Sequence, residues 1–88
     1  MKAKRKLTTN VCGKRIKLAR IEADMRQIDL AVALSEEHGL QVDQYSISHM
    51  EKGDRFVKDF EIIALAEVLG KSPLWFLYGD KVPQKYKV

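Results

Sequence analysis

Asp43 and Gly53 enclose the segment Gln-Tyr-Ser-Ile-Ser-His-Met-Glu-Lys, and each end carries a residue with a physical reason to stand there. The Asp43 carboxylate can accept the backbone N–H groups that a helix start leaves unpaired, and Gly53 can take the left-handed conformation that ends a helix. On the helical period, Ile47 and Met50 fall on one side and Gln44, Tyr45, Ser48, His49 and Lys52 on the other. The same punctuation recurs along the chain, and no useful length alternates as a strand would. An all-α fold of five helices follows.

Asn10 opens a first helix running to about Asp24, in which Cys12, Ile16, Ala19 and Ala23 recur at spacings of three or four and face a core. Its other side carries Lys14, Arg15, Lys17 and Arg20. A second helix from Gln27 to about Glu37 turns Leu30, Ala31 and Leu34 inward and ends at His38 and Gly39. Past the third helix lies a charged surface loop, Gly53 to Lys58. The fourth begins at Asp59, carries Ile62, Ile63, Leu65, Ala66 and Leu69, closes at Gly70 and is expected to be the most buried element. Ser72 caps a last short helix with Pro73 at its first position. Its body, Leu74 to Tyr78, is apolar on nearly every side, so one side fills the core and another is free to meet a partner. The organisation expected is a basic N-terminal arm over residues 1–9, a compact domain over 10–79 and a tail over 80–88 that lacks the apolar content to pack by itself.

At 88 residues the chain has room for one modest core. Its longest apolar-rich stretch, Phe60 to Gly70, is interrupted by Glu61 and Glu67 and is far short of the roughly 20 residues a membrane span needs. No membrane partner is expected. Cys12, the single cysteine, has no partner for an internal disulfide, which agrees with a cytoplasmic location. His38, His49 and Cys12 make no zinc-ligand spacing, and no glycine-rich phosphate loop is present. Catalysis, a cofactor and a small-molecule substrate are therefore not expected. His38 is placed at a helix end, where its charge suits the dipole. Charge points elsewhere: net charge is +4, and the first twenty positions hold Lys2, Lys4, Arg5, Lys6, Lys14, Arg15, Lys17 and Arg20 with no acidic residue. The stretch from Ile21 to Phe60 is net acidic, so contact with a polyanion must come from selected faces. Lys2 to Lys6 is either a solubilising arm or a nucleic-acid contact.

Gln27, Leu30-Ala31, Ile47-Ser48, Glu51 and Gly53, with a later helix ending Ala66-Glu67-Val68-Leu69-Gly70 and an apolar last helix, resemble the lambda-repressor-like helix-turn-helix family, also called the Cro/xenobiotic-response-element type. The match covers roughly Gly13 to Gly79. Two positions depart from the pattern. The interval Ser35 to Val42 exceeds the usual connection by about six residues, so either the second helix or the turn between helices 2 and 3 is extended. Arg26 stands where relatives place a Thr or Ser cap, so the second helix is expected to lean on Asp24 or water at its start.

The resemblance implies a sequence-specific double-stranded-DNA-binding transcriptional regulator, a repressor of bacterial, phage or mobile-element origin. It implies that the third helix enters the major groove and that a homodimer meets operator half-sites about one helical turn apart. Base-reading roles then fall to Gln44, Tyr45, Ser48 and His49, with Gln44 bonding adenine and His49 donating to guanine. Gln27 is implied at a phosphate by the start of the second helix, and Lys52, Arg55 and Lys58 reach the backbone just past the third. Arg20 and Glu51 are implied as a structural ion pair. Trp75, Phe76 and Tyr78, with the tail from Lys81, are candidates for the dimer contact. No ligand-binding or self-cleaving domain fits the remaining residues, so neither form of control is expected. Alone, the polar face would read as ordinary solvated surface, and Tyr45 could instead pack back against Leu40. The rival function is a protein-interaction or antitoxin-like module of the same fold, docking through its apolar last helix.

Overall fold

The computed structural model describes residues 9–87; the cationic residues of the N-terminal arm, Lys2 to Lys6, lie outside them. In chain order the helices are α1 (Gly13–Glu22), α2 (Gln27–His38), α3 (Gln44–Lys52), α4 (Asp59–Leu69) and α5 (Pro73–Tyr78), followed by one 3-10 turn at Gln84–Tyr86, and no strand occurs among the described residues. α3 packs on α1 and α2, while α4 packs on α1, α2 and α5. Their apolar stripes converge on one core in which Ile16, Leu30, Leu34, Ile47, Met50, Leu65 and Phe76 are wholly buried.

Several helix ends differ from the sequence reading in instructive ways. Asn10 does serve the start of α1, but from outside it: its Oδ1 accepts the N–H groups of Cys12 and Gly13 at 3.0 and 2.8 Å. Its Nδ2 meanwhile donates to the carbonyls of Met50 and Arg55 at 3.1 and 2.8 Å, tying α1 to the end of α3. The helix stops earlier than Asp24, and Ala23 is exposed rather than facing the core. The stop is Asp24 itself, at φ 57. Its N–H donates to the Ile21 carbonyl at 2.9 Å and that of Met25 to Arg20 at 3.1 Å, the paired bonds of a left-handed helix end. A short polar side chain tolerates that conformation better than most, so a helix end can hide in a sequence without a glycine.

The extra residues before α3 are taken up largely by α2, which runs twelve residues to His38 before the link from Gly39 to Asp43. The start of α2 does not lean on Asp24. The Asp29 carboxylate reaches back to accept the Arg26 N–H at 2.8 Å and also holds the Arg26 guanidinium at 2.9 and 3.0 Å. The Arg26 side chain and its backbone N–H hold the Asp29 carboxyl down at about 2. α4 is deeply packed through Ala64, Leu65, Ala66 and Leu69, but Ile63 on its opposite side stays 50% exposed.

One ion pair sets the position of α3 and another holds the loop that follows it. Arg20 on α1 grips Glu51 on α3 at 2.6 and 3.1 Å, with the two side chains 11% and 4% exposed, and a third donation from Arg20 goes to the Met25 carbonyl at 2.9 Å. The pair implied by the family resemblance is thus present and nearly dry. The second pair was not foreseen. Arg55 holds Glu61 at 3.1 and 3.3 Å, and Glu61 also accepts the Lys58 N–H at 2.9 Å, which starts α4.

Helices α1 and α3 approach so closely that a Cβ on Gly13 would lie 2.5 Å from the Met50 carbonyl oxygen and 2.8 Å from that of Glu51. Backbone cannot step aside as a side chain can. Gly13→Ala is therefore expected to destabilise the domain by about 1–3 kcal/mol, read as a lower melting temperature in thermal denaturation. Arg20→Ala leaves a buried carboxylate without its cation and is expected to cost about 3–5 kcal/mol, enough to unfold much of a domain this small. An Arg20→Ala variant with the parent's urea midpoint would show that the pair does not hold α3. Arg55→Ala is expected to cost less, about 2–3 kcal/mol, because that guanidinium keeps part of its hydration.

Candidate nucleic-acid interface

The candidate face is built by α3, whose two ends are as marked as the sequence suggested. The Asp43 carboxylate accepts the Ser46 N–H at 2.8 Å and the Ser46 hydroxyl at 3.0 Å. Those bonds hold the Asp43 carboxyl below its usual range, so the stabilisation it lends is present above the ordinary carboxylate pKa and is lost as pH falls below it. Gly53 closes the helix at φ 83, and the carbonyl of Gly53 accepts both the N–H and the hydroxyl of Thr9 at 2.9 and 2.8 Å. With Ile47 and Met50 buried, the outward side is polar by necessity.

Gln44 is exposed and Ser48 half-buried on that side, and together with Gln27, Ile28, Asp43 and Tyr45 they line a shallow depression between the start of α2 and α3. Tyr45 is 72% exposed and does not fold back on Leu40. Its ring meets His49 edge-on, with centroids 4.3 Å apart. His49 is itself held, its Nδ1 lying 2.7 Å from Oδ1 of Asp54. Asp54 escaped the sequence reading because it lies beyond the helix stop, and a helical wheel ends there. The four base-reading candidates are thus brought onto one face.

The phosphate candidates divide. Lys52 and Lys58 are exposed, and the Lys58 ammonium lies 5.8 Å from the Phe60 ring centroid. Lys14 is also exposed and shares with Lys52 the depression between the start of α1 and the end of α3. Gln27 sits at the first position of α2, but its Nε2 donates one hydrogen to Glu51 at 3.1 Å, which leaves the second Nε2 hydrogen and the free helix amides for an anion. Arg55 does not remain a phosphate candidate, because its guanidinium is committed to Glu61, whose side chain is only 5% exposed, and to the Phe56 carbonyl. A signal for this was available: Glu61 stands at the third position of α4, where an acid reaches back to the helix start, within an otherwise inward-facing stripe. An acid in such a place needs a cation.

Of the dimer candidates, Phe76 is ruled out as a contact: it is fully buried, its ring 5.1 Å from that of Trp75 at a steep angle. Trp75 is half-buried beneath the Lys71 ammonium, 4.9 Å from its centroid, and Tyr78 is 40% exposed beside Tyr86. Arg15, counted in the basic face of α1, instead clamps α5 by donating to the Phe76 and Leu77 carbonyls at 2.9 and 3.2 Å. His38 closes α2 as expected and lies 3.5 Å from Glu67 of α4. Among the described residues no helix is long and apolar enough to cross a membrane, and no cluster of side chains could hold a metal ion.

No protein-family model matches the chain. It is 36% identical over 72 residues, 82% of its length, to the HTH-type transcriptional regulator DicA of Escherichia coli strain K12, and spans 49%, about half, of that relative. Among solved structures, the P22 c2 repressor in complex with a synthetic operator superposes with a TM-score of 0.68 at 28% identity, over 82% of this chain and 100% of that one. One relative is named as a transcriptional regulator and the other is a repressor held on its operator; neither name denotes an enzyme. Helix order, the Arg20–Glu51 pair and both likenesses converge: the chain has the lambda-repressor-like helix-turn-helix fold.

Proposed function

We propose that the chain is a non-catalytic, sequence-specific double-stranded-DNA-binding regulator of transcription, acting as a repressor in the cytoplasm of a bacterium or on behalf of a phage or mobile element. The observation that carries this reading is α3 itself. It is capped at both ends, anchored through Ile47, Met50 and Glu51, and presents Gln44, Tyr45, Ser48 and His49 together. Such a helix has the donors and acceptors to read base edges in the major groove. The likeness to a repressor in complex with operator supports the same use of the fold.

In this reading Gln44 bonds a base, Gln27 and the start of α2 meet one phosphate, and Lys52 and Lys58 meet others. A homodimer places two copies of α3 about one helical turn apart on the duplex. Trp75 and Tyr78 remain the contact candidates on α5. Docking to another protein through α5 has less to work with than the sequence promised, because Phe76 is absorbed by the core.

A mobility-shift titration on duplexes selected from a random pool tests the proposal. Log affinity is expected to fall linearly with log salt, by about 0.9 per phosphate neutralised. Lys52→Ala should weaken all duplexes alike and reduce that slope by about one. Gln44→Ala should cost about 1–3 kcal/mol at one base position while leaving the melting temperature unchanged. No retained duplex at low salt would sink the reading and favour the protein-docking alternative, and a monomer on a single half-site would remove the homodimer.

A further inference from the structure

The His49 imidazole is held from two sides. Its Nδ1 meets Asp54 at 2.7 Å, and its ring meets the Tyr45 ring at a 63° angle. The helix stop puts Asp54 there. With Gly53 left-handed, the Asp54 N–H donates to the His49 carbonyl at 3.2 Å, which turns residue 54 back toward the last turn of α3. An ionised carboxylate only accepts hydrogen bonds, so the Nδ1 in contact with it carries the hydrogen. In a neutral ring the second nitrogen, Nε2, is then an acceptor.

We propose that Asp54 is a positioning residue that sets the base His49 selects: it holds the neutral ring with Nε2 as a bare acceptor, matched to the exocyclic amino group of adenine or cytosine and not to guanine. The inference rests on the reading of α3 as the base-reading helix. In the major groove adenine N6 and cytosine N4 donate, whereas guanine N7 and O6 only accept. The donor role expected of an unpartnered His49 is thereby reversed. Protonation restores it: the ring keeps its Nδ1 hydrogen on Asp54, gains one on Nε2, and the same position then favours guanine. The groups facing the ring are Asp54 and Tyr45. Ser46 and Arg55 share the depression beside it, but the Arg55 guanidinium is turned to Glu61.

The test joins nitrogen NMR of the His49 ring with selection of bound sequences from random duplex DNA, for the parent, Asp54→Ala and His49→Ala. The Asp54 side chain is 55% exposed, so its removal leaves the core intact. At about pH 8, where an ordinary imidazole is neutral, the parent ring is expected in the Nδ1–H form, with adenine or cytosine preferred at one half-site position. Asp54→Ala should move the ring toward the Nε2–H form and change that preference by about three- to tenfold, the worth of one hydrogen bond. His49→Ala should lose the preference at the same position. A parent ring in the Nε2–H form, or an Asp54→Ala profile equal to the parent's, overturns the assignment and leaves the DNA reading standing. Failure of all three proteins to retain any duplex overturns both.

Discussion

One carboxylate, that of Glu51, joins three helices. It belongs to α3, takes two hydrogen bonds from Arg20 on α1, and takes another from Gln27 at the first position of α2. Arg20 in turn holds the Met25 carbonyl in the turn that leads out of α1. Apolar packing of Ile47 and Met50 would bury α3 in several rotations about its own axis; a pair of charges with directed bonds accepts far fewer. Buried ion pairs contribute little net stability against apolar replacements of similar shape, so we read this one as an orienting device. The face that α3 shows outward follows from how Glu51 is held inward.

The described arginines do different work from Lys14, Lys17, Lys52 and Lys58. Arg15 holds carbonyls at the end of α5, Arg20 holds Glu51, Arg26 holds Asp29 and Arg55 holds Glu61. Each uses the planar, many-donor guanidinium that suits fixed acceptors. Lys14, Lys17, Lys52 and Lys58 are exposed, and a compact charge on a flexible stem suits phosphates whose positions vary. Net charge read from the sequence counts all of these alike and does not separate an arginine that holds the fold, such as Arg15 or Arg55, from a lysine left exposed.

What was legible in the sequence was whatever a single helix decides for itself. Asp43, Ser72 with Pro73, Gly39, Gly53 and Gly70 mark their helix ends through local chemistry, and those boundaries agree with the structure. Ile47 and Met50 were assigned inward by period alone, and both are fully buried. What was not legible depends on neighbours. Phe76 and Trp75 are adjacent aromatics on one short helix, and only the position of α4 decides which is buried. Asp24 ends α1 without a glycine, and Asp54 reaches His49 across a turn; neither follows a helical period. The Arg20–Glu51 pair was reached through the family pattern and not through spacing, since thirty-one residues separate its members.

The length of α2 bears on how an acidic middle segment can coexist with a polyanion. Twelve residues make a rod of about 18 Å. Gln27 stands at one end, while Glu36 and Glu37 stand in the last turn at the other. At physiological ionic strength a charge is screened over about 8 Å, so a phosphate at Gln27 lies roughly two screening lengths from those carboxylates. The end nearest the phosphate offers unpaired amides and the positive end of the helix dipole instead. Added length in α2 thus sets Glu36 and Glu37 apart from any anion met at Gln27, and the one acid in the first turn, Asp29, is neutralised where it stands by Arg26.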